Sequence, residues 1–110
     1  MEKIRIFLTD DNDEIRAALH KYLEAQEDMI ISGEAANGVE ALQRLPECPS
    51  DVIILDLIMP QMDGYAVLER LQAMKLSKQP GVIALTALGR DDFISRAVNL
   101  GVNYYMVKPF

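Results

Sequence analysis

Asp51-Val52-Ile53-Ile54-Leu55-Asp56 carries the clearest structural signal in the chain. An unbroken β-branched and aliphatic run between two aspartates suits a strand buried on both faces, and such strands sit in the middle of parallel sheets. Gly81-Val82-Ile83-Ala84-Leu85-Thr86 repeats the pattern, and Ile4-Arg5-Ile6-Phe7-Leu8-Thr9 is a shorter version that runs into acidic residues. Met29 to Ala35 and Tyr104 to Val107 read as two further strands. Between these runs the apolar residues recur at helical spacing. Ile15, Ala18, Leu19, Tyr22 and Leu23 predict a helix with a core-facing stripe. Asn12 or Asp13 is its expected cap, and Asp11 with Glu14 gives part of a capping box. After an Asn37-Gly38 turn, Gly38 to Leu45 predicts a short helix with Val39, Leu42 and Leu45 on one side. Tyr65, Val67, Leu68 and Leu71 mark a third helix, beyond a loop through Pro60 and Gly64. Phe93, Ile94, Ala97, Val98 and Leu100 mark a fourth, near Asp91 to Leu100, which Gly101 stops. Strands alternating with helices predict a doubly wound α/β fold, a parallel sheet with helices on both faces.

The 110 residues give room for one domain, spanning 1–110, and one core. The chain stops at Phe110, directly after the fifth strand pattern, where a closing helix is expected, so one face of the sheet would lack part of its cover. No apolar run approaches the roughly 20 residues that span a bilayer. Met1-Glu2-Lys3-Ile4-Arg5 sets charges among its apolar residues, unlike the apolar core of a signal peptide, so the expected location is cytoplasmic. The net charge of −6 argues against direct contact with nucleic acid by this segment, because a polyanion would be repelled. Cys48, the single cysteine, has no nearby His/Cys cluster and reads as structurally incidental.

Ligands of open parallel sheets bind at the carboxyl ends of the strands. Here the first strand runs into Asp10-Asp11, the third into Asp56, the fourth into Thr86 and the fifth into Lys108. Taken singly, each has an ordinary explanation as a helix cap, a loop residue or a solvated lysine. Jointly, three carboxylates, a hydroxyl and an amine on one edge point to chemistry. Carboxylates crowded in one pocket repel each other unless a cation sits among them. Hard oxygen ligands favour Mg²⁺, which keeps waters and leaves room for phosphate oxygens. One carboxylate can then act as nucleophile toward a phosphoryl group and form an aspartyl-phosphate. Asp56 is the expected nucleophile, Asp10 and Asp11 the metal holders, Lys108 the phosphate counter-charge and Thr86 the sensor of the product.

Four motifs carry a family resemblance: Thr9-Asp10-Asp11-Asn12; Leu55-Asp56-Leu57-Ile58-Met59-Pro60 with Met62-Asp63-Gly64; Leu85-Thr86-Ala87; and Lys108-Pro109-Phe110. In order and spacing they closely resemble the receiver domains of bacterial response regulators, relatives of the chemotaxis regulator. The resemblance covers essentially the whole chain. More narrowly, Gln26-Glu27-Asp28-Met29, Ala66-Val67-Leu68-Glu69-Arg70-Leu71 and Lys78-Gln79-Pro80 are similar to receivers of the sporulation regulators of endospore-forming bacteria.

The resemblance implies a flavodoxin-like strand order 2-1-3-4-5. It implies a phosphoacceptor domain of a two-component system or phosphorelay, which catalyses only its own phosphorylation and dephosphorylation. Asp11 and Asp56 would bind Mg²⁺ through their side chains, Ile58 through its backbone carbonyl, and Asp10 mainly through a water. Thr86, Lys108 and the backbone N–H of Ala87 would hold the phosphoryl group. Thr86 would move toward the phosphate and free space for Tyr105, the aromatic switch position. The Lys108-Pro109 peptide is typically cis in this family. A histidine kinase or phosphotransferase would supply the phosphoryl group. The response would be homodimerisation and control of a C-terminal DNA-binding effector that this segment does not contain, in sporulation initiation.

Three alternatives fit less well. Haloacid-dehalogenase phosphatases put their nucleophile in an Asp-x-Asp motif after the first strand, a spacing that Thr9-Asp10-Asp11-Asn12 does not offer. A nucleotide-binding module would want a glycine-rich phosphate loop after a strand, and none occurs. A degenerate receiver serving only protein interactions would have no reason to keep Asp10, Asp11, Asp56, Thr86 and Lys108.

Overall fold

A computed structural model describes residues 2–59, 62–74, 76, 79–86, 95–96 and 98–107, with Thr86 by its backbone only. In it, alternating apolar runs and amphipathic stretches become β1 (Ile4–Thr9), α1 (Asp13–Glu24), β2 (Met29–Ala35), α2 (Gly38–Arg44), β3 (Val52–Asp56), α3 (Gly64–Ala73), β4 (Gly81–Thr86) and β5 (Tyr104–Val107). A single 3₁₀ turn, Leu45–Glu47, follows α2. The strands pair in the order β2-β1-β3-β4-β5, and every pairing is parallel. This is the expected doubly wound topology, and chain order reverses between β1 and β3. The carboxyl ends of those two strands therefore open the crevice where such sheets take ligands.

Strand periodicity assigns the two faces. Phe7, Ile53, Leu55, Val82 and Ala84 share a cluster with Ala41 of α2 and Tyr65, Val67, Leu68 and Leu71 of α3. Ile6, Leu8, Ile54 and Leu85 point the other way, against Leu19 and Leu23 of α1. β3 thus feeds both clusters, as its uninterrupted apolar run requires. Two corrections concern the helices. Val39 of α2 is exposed, and Ala41 holds the inward position beside the partly buried Leu42 and the buried Leu45. The stripe on α1 contains no buried residue, and Tyr22 is 67 % exposed. Together with Ile54, Ile83, Leu85 and Met106 that stripe lines an open apolar groove of about 740 Å³. β5 is exposed along its length.

Ser95, Arg96, Val98 and Asn99 are helical. The Gly101 N–H donates to Val98 O at 3.1 Å, and Gly101 has φ +97°, the left-handed stop for which glycine is suited. Arg96 lies over the Tyr65 ring at 4.2 Å and ties this helical stretch to α3. The expected helix residues Asp91, Phe93, Ile94 and Ala97 lie outside the described residues. Among the described residues no helix is long and apolar enough to cross a membrane.

Candidate functional site

Asp10 follows the last residue of β1, and its N–H still pairs with Ala35 O of β2 at 3.2 Å. Its Oδ1 accepts the Asn12 N–H at 2.9 Å, a local turn that Asp favours. Asn12, rather than Asp13, caps α1 by accepting the N–H groups of Glu14 and Ile15 at 3.0 and 3.1 Å. The β1–α1 connection is therefore short and internally hydrogen-bonded. It turns Asp10 inward, 1 % exposed, and leaves Asp11 facing outward.

Asp56 closes β3 and is 3 % exposed. Its Oδ1 accepts the backbone N–H of Ile58 at 3.1 Å. Leu57 N–H continues the ladder to Leu85 O at 2.9 Å, and Gly64 N–H returns to Leu57 O at 2.9 Å. Asp63 then caps α3 through the Ala66 N–H at 3.0 Å. The return is tight enough to exclude a side chain at Gly64. A Cβ there would stand 2.6 Å from Asp56 O and 2.6 Å from Leu57 Cα, both backbone atoms that no rotamer change can move. At Gly81 the nearest atom to an added Cβ would be Asn103 Oδ1 at 3.5 Å, an ordinary contact. Gly64→Ala is therefore expected to destabilise the protein by about 1–3 kcal/mol, the cost of overpacking. Gly81→Ala should stay within about 0.5 kcal/mol. Urea titration of both variants checks this, and equal midpoints would show that the loop accommodates the methyl group.

The two connections bring the carboxylates of Asp10, Asp11 and Asp56 together, with one oxygen of each within 4.8 Å of the others. A donor set made only of carboxylate oxygens suits a hard divalent cation, and two buried acids side by side are costly without positive charge nearby. Thr86 ends β4 on the same edge of the sheet, with Val107 as its partner in β5. Tyr105 is half-exposed and pairs with Ala84. Ile58 sits in the loop after Asp56, with its side chain exposed. Ala87 and Lys108 lie outside the described residues, as do the Thr86 side chain and the Lys108-Pro109 peptide.

Two interactions were not among those expected from sequence, one of them at Ile58, which was singled out only for its carbonyl. There the Ile58 N–H fixes the Asp56 carboxylate. The other is made by Arg16, which donates from Nη1 to the main-chain oxygen of Asp10 at 2.7 Å. Backbone donors leave no trace in a residue pattern. Arg16 could have been suspected only from its place one turn inside α1, since helical side chains lean toward the N-terminus.

Comparison with known proteins points to one family. The family model for the response regulator receiver domain matches residues 6–110. Among solved structures, the receiver domain of the putative response regulator NarL from Mycobacterium tuberculosis is 26 % identical, with a TM-score of 0.91 over 100 % of this chain and 87 % of that one. The receiver domain of a DNA-binding response regulator from Colwellia psychrerythraea is 31 % identical, with a TM-score of 0.87 over 98 % and 88 %. A CheX–CheY complex from Borrelia burgdorferi that carries BeF₃ and Mg²⁺ is 27 % identical, with a TM-score of 0.86 over 99 % and 81 %.

Proposed function

The chain belongs to the response regulator receiver domain family, and from that premise we propose that its 110 residues form one phosphoacceptor domain with Asp56 as the phosphorylated aspartate. The observation that carries the reading is the convergence of Asp10, Asp11 and Asp56 at the sheet's switch point. Asp56 alone of the three ends the central strand. Its carboxylate accepts the Ile58 N–H, which fixes its orientation at the end of that strand.

A carboxylate oxygen of Asp56 attacks the donor phosphorus and forms an O–P bond. The bond from phosphorus to the leaving group breaks, and its electron pair departs with that group. Asp10, Asp11 and Asp56, with the Ile58 carbonyl, would hold Mg²⁺. The bound ion supplies positive charge against the phosphoryl oxygens. Lys108 supplies a second positive charge. The Ala87 N–H and the Thr86 hydroxyl bind the phosphoryl group in the product. Thr86 and Tyr105 then form the switch, Tyr105 moving as Thr86 turns toward the phosphate.

The donor is the phosphohistidine of a histidine kinase or phosphotransferase. The readout is homodimerisation and control of a C-terminal DNA-binding effector, in the cytoplasm. The Colwellia relative is itself described as DNA-binding. The segments at residues 26–29 and 66–71 favour a regulator of sporulation initiation.

Acetyl phosphate with Mg²⁺, followed by intact mass, tests the proposal. One phosphoryl group per chain is the expected result. Rapid multiple turnover of acetyl phosphate would indicate a phosphatase. No addition under any Mg²⁺ concentration would leave only an interaction module.

A further inference from the structure

We infer that Arg16 is a positioning residue for the acidic site: by holding the Asp10 carbonyl it sets the cation affinity of Asp10, Asp11 and Asp56. The inference rests on the proposed reading of those three carboxylates as a cation site.

Arg16 lies one turn into α1, so its side chain leans back over the connection that carries the acids. Three acceptors surround its guanidinium. Nη1 donates to Asp10 O at 2.7 Å, Nη2 to Asp13 Oδ1 at 2.7 Å, and Nε lies 3.4 Å from Glu34 Oε1 on β2. These contacts are unequal. Asp13 is solvent-exposed, and an exposed ion pair within one helix contributes little. The bond to Asp10 O reaches the backbone of a buried residue, with the Arg16 side chain itself only 19 % exposed. Glu34 anchors the other side of the guanidinium to the sheet, so Arg16 fastens the β1–α1 connection to β2 across the helix. Only a planar fork spans all three acceptors; a lysine ammonium is a single point charge on a flexible stem.

Charge and geometry make opposite demands on this residue. As a cation near the acidic site, Arg16 opposes a second cation, so removing it should tighten Mg²⁺ binding if charge were all that mattered. As a clamp on the ligand-bearing connection, its removal should weaken binding. Groups that orient metal ligands typically contribute about 10–100-fold to affinity, more than one screened charge near the surface, so the clamp is expected to win. Arg44 provides a control. It also donates to a main-chain oxygen, that of Glu34 at 2.8 Å, and pairs with Glu40 at 3.5 Å. Among the described residues it makes no hydrogen bond or ion pair with the β1–α1 connection.

The test is an Mg²⁺ titration of the whole chain, followed through the amide resonances of residues 10–12 and 56–58. Arg16→Ala should weaken Mg²⁺ binding by about tenfold. Arg16→Lys, which keeps the charge, should also bind more weakly than wild type, and Arg44→Ala should bind as wild type does. If Arg16→Ala does not fold, Arg16→Lys carries the test alone. Unchanged or tighter binding in Arg16→Ala, or wild-type binding in Arg16→Lys, overturns the inference. Asp11→Asn separates this from the parent reading: if it binds Mg²⁺ as tightly as wild type, the cation site itself is wrong, whatever Arg16 does.

Discussion

Asp56→Asn is expected to take up no phosphoryl group from acetyl phosphate at any Mg²⁺ concentration, while keeping its fold. The amide oxygen of asparagine can accept the same N–H that Ile58 now donates at 3.1 Å, so the β3–α3 connection retains its hydrogen bond. What disappears is the anionic oxygen that forms the new bond to phosphorus. The side chain occupies nearly the same volume, so the clusters fed by β3 should be undisturbed. Thermal unfolding of the variant beside wild type establishes that the fold persists, and intact mass measures uptake. Residual stoichiometric uptake by a folded Asp56→Asn would move the acceptor to another residue.

Asp11→Asn should slow phosphoryl capture by about 10²–10³-fold, the loss seen when one preorganised electrostatic group is removed from a site. Asp11 is the exposed member of the three acids, so its replacement leaves the buried contacts of Asp10 and Asp56 in place. The same variant should lose most of the stabilisation given by Mg²⁺. A ligand that binds only the native state adds RT ln(1 + [L]/Kd), about 1.4 kcal/mol at ten times Kd. Wild type should therefore melt at higher temperature in millimolar Mg²⁺, and Asp11→Asn much less so. An equal rise in both proteins would place the ion elsewhere.

Strand positions were legible because each run carries its own signal. β2, β4 and β5 coincide with the expected limits, and β3 begins one residue later, at Val52. The alternation of Phe7 with Ile6 and Leu8 between two clusters follows from strand geometry once the sheet is buried on both faces. Helix stripes were harder to place. The apolar face of α1 looks complete in sequence, yet burial needs a partner on both flanks of the stripe, and the groove beside Leu19 and Leu23 is open on one. Val39 is exposed and Ala41 buried in α2, an assignment hard to read because small residues carry weak periodic signals.

At the site, the convergence of Asp10, Asp11 and Asp56 was readable from strand ends alone, since a parallel sheet brings all carboxyl ends to one edge. The division between a buried Asp10 and an exposed Asp11 was not. It depends on the turn closed by Asn12 N–H on Asp10 Oδ1. Arg16 and Glu34 meet across a helix and a strand separated by many residues, a contact that only the docked structure brings about.

The most direct test of the central claim is to locate the phosphoryl group in the wild-type protein. After reaction with acetyl phosphate and Mg²⁺, borohydride reduction of the acyl phosphate followed by peptide mapping marks the modified aspartate permanently. The account predicts a single mark, at Asp56, and unmodified Asp10 and Asp11. A mark at Asp10, at Asp11 or at a residue outside the β1–α1 and β3–α3 connections would contradict it.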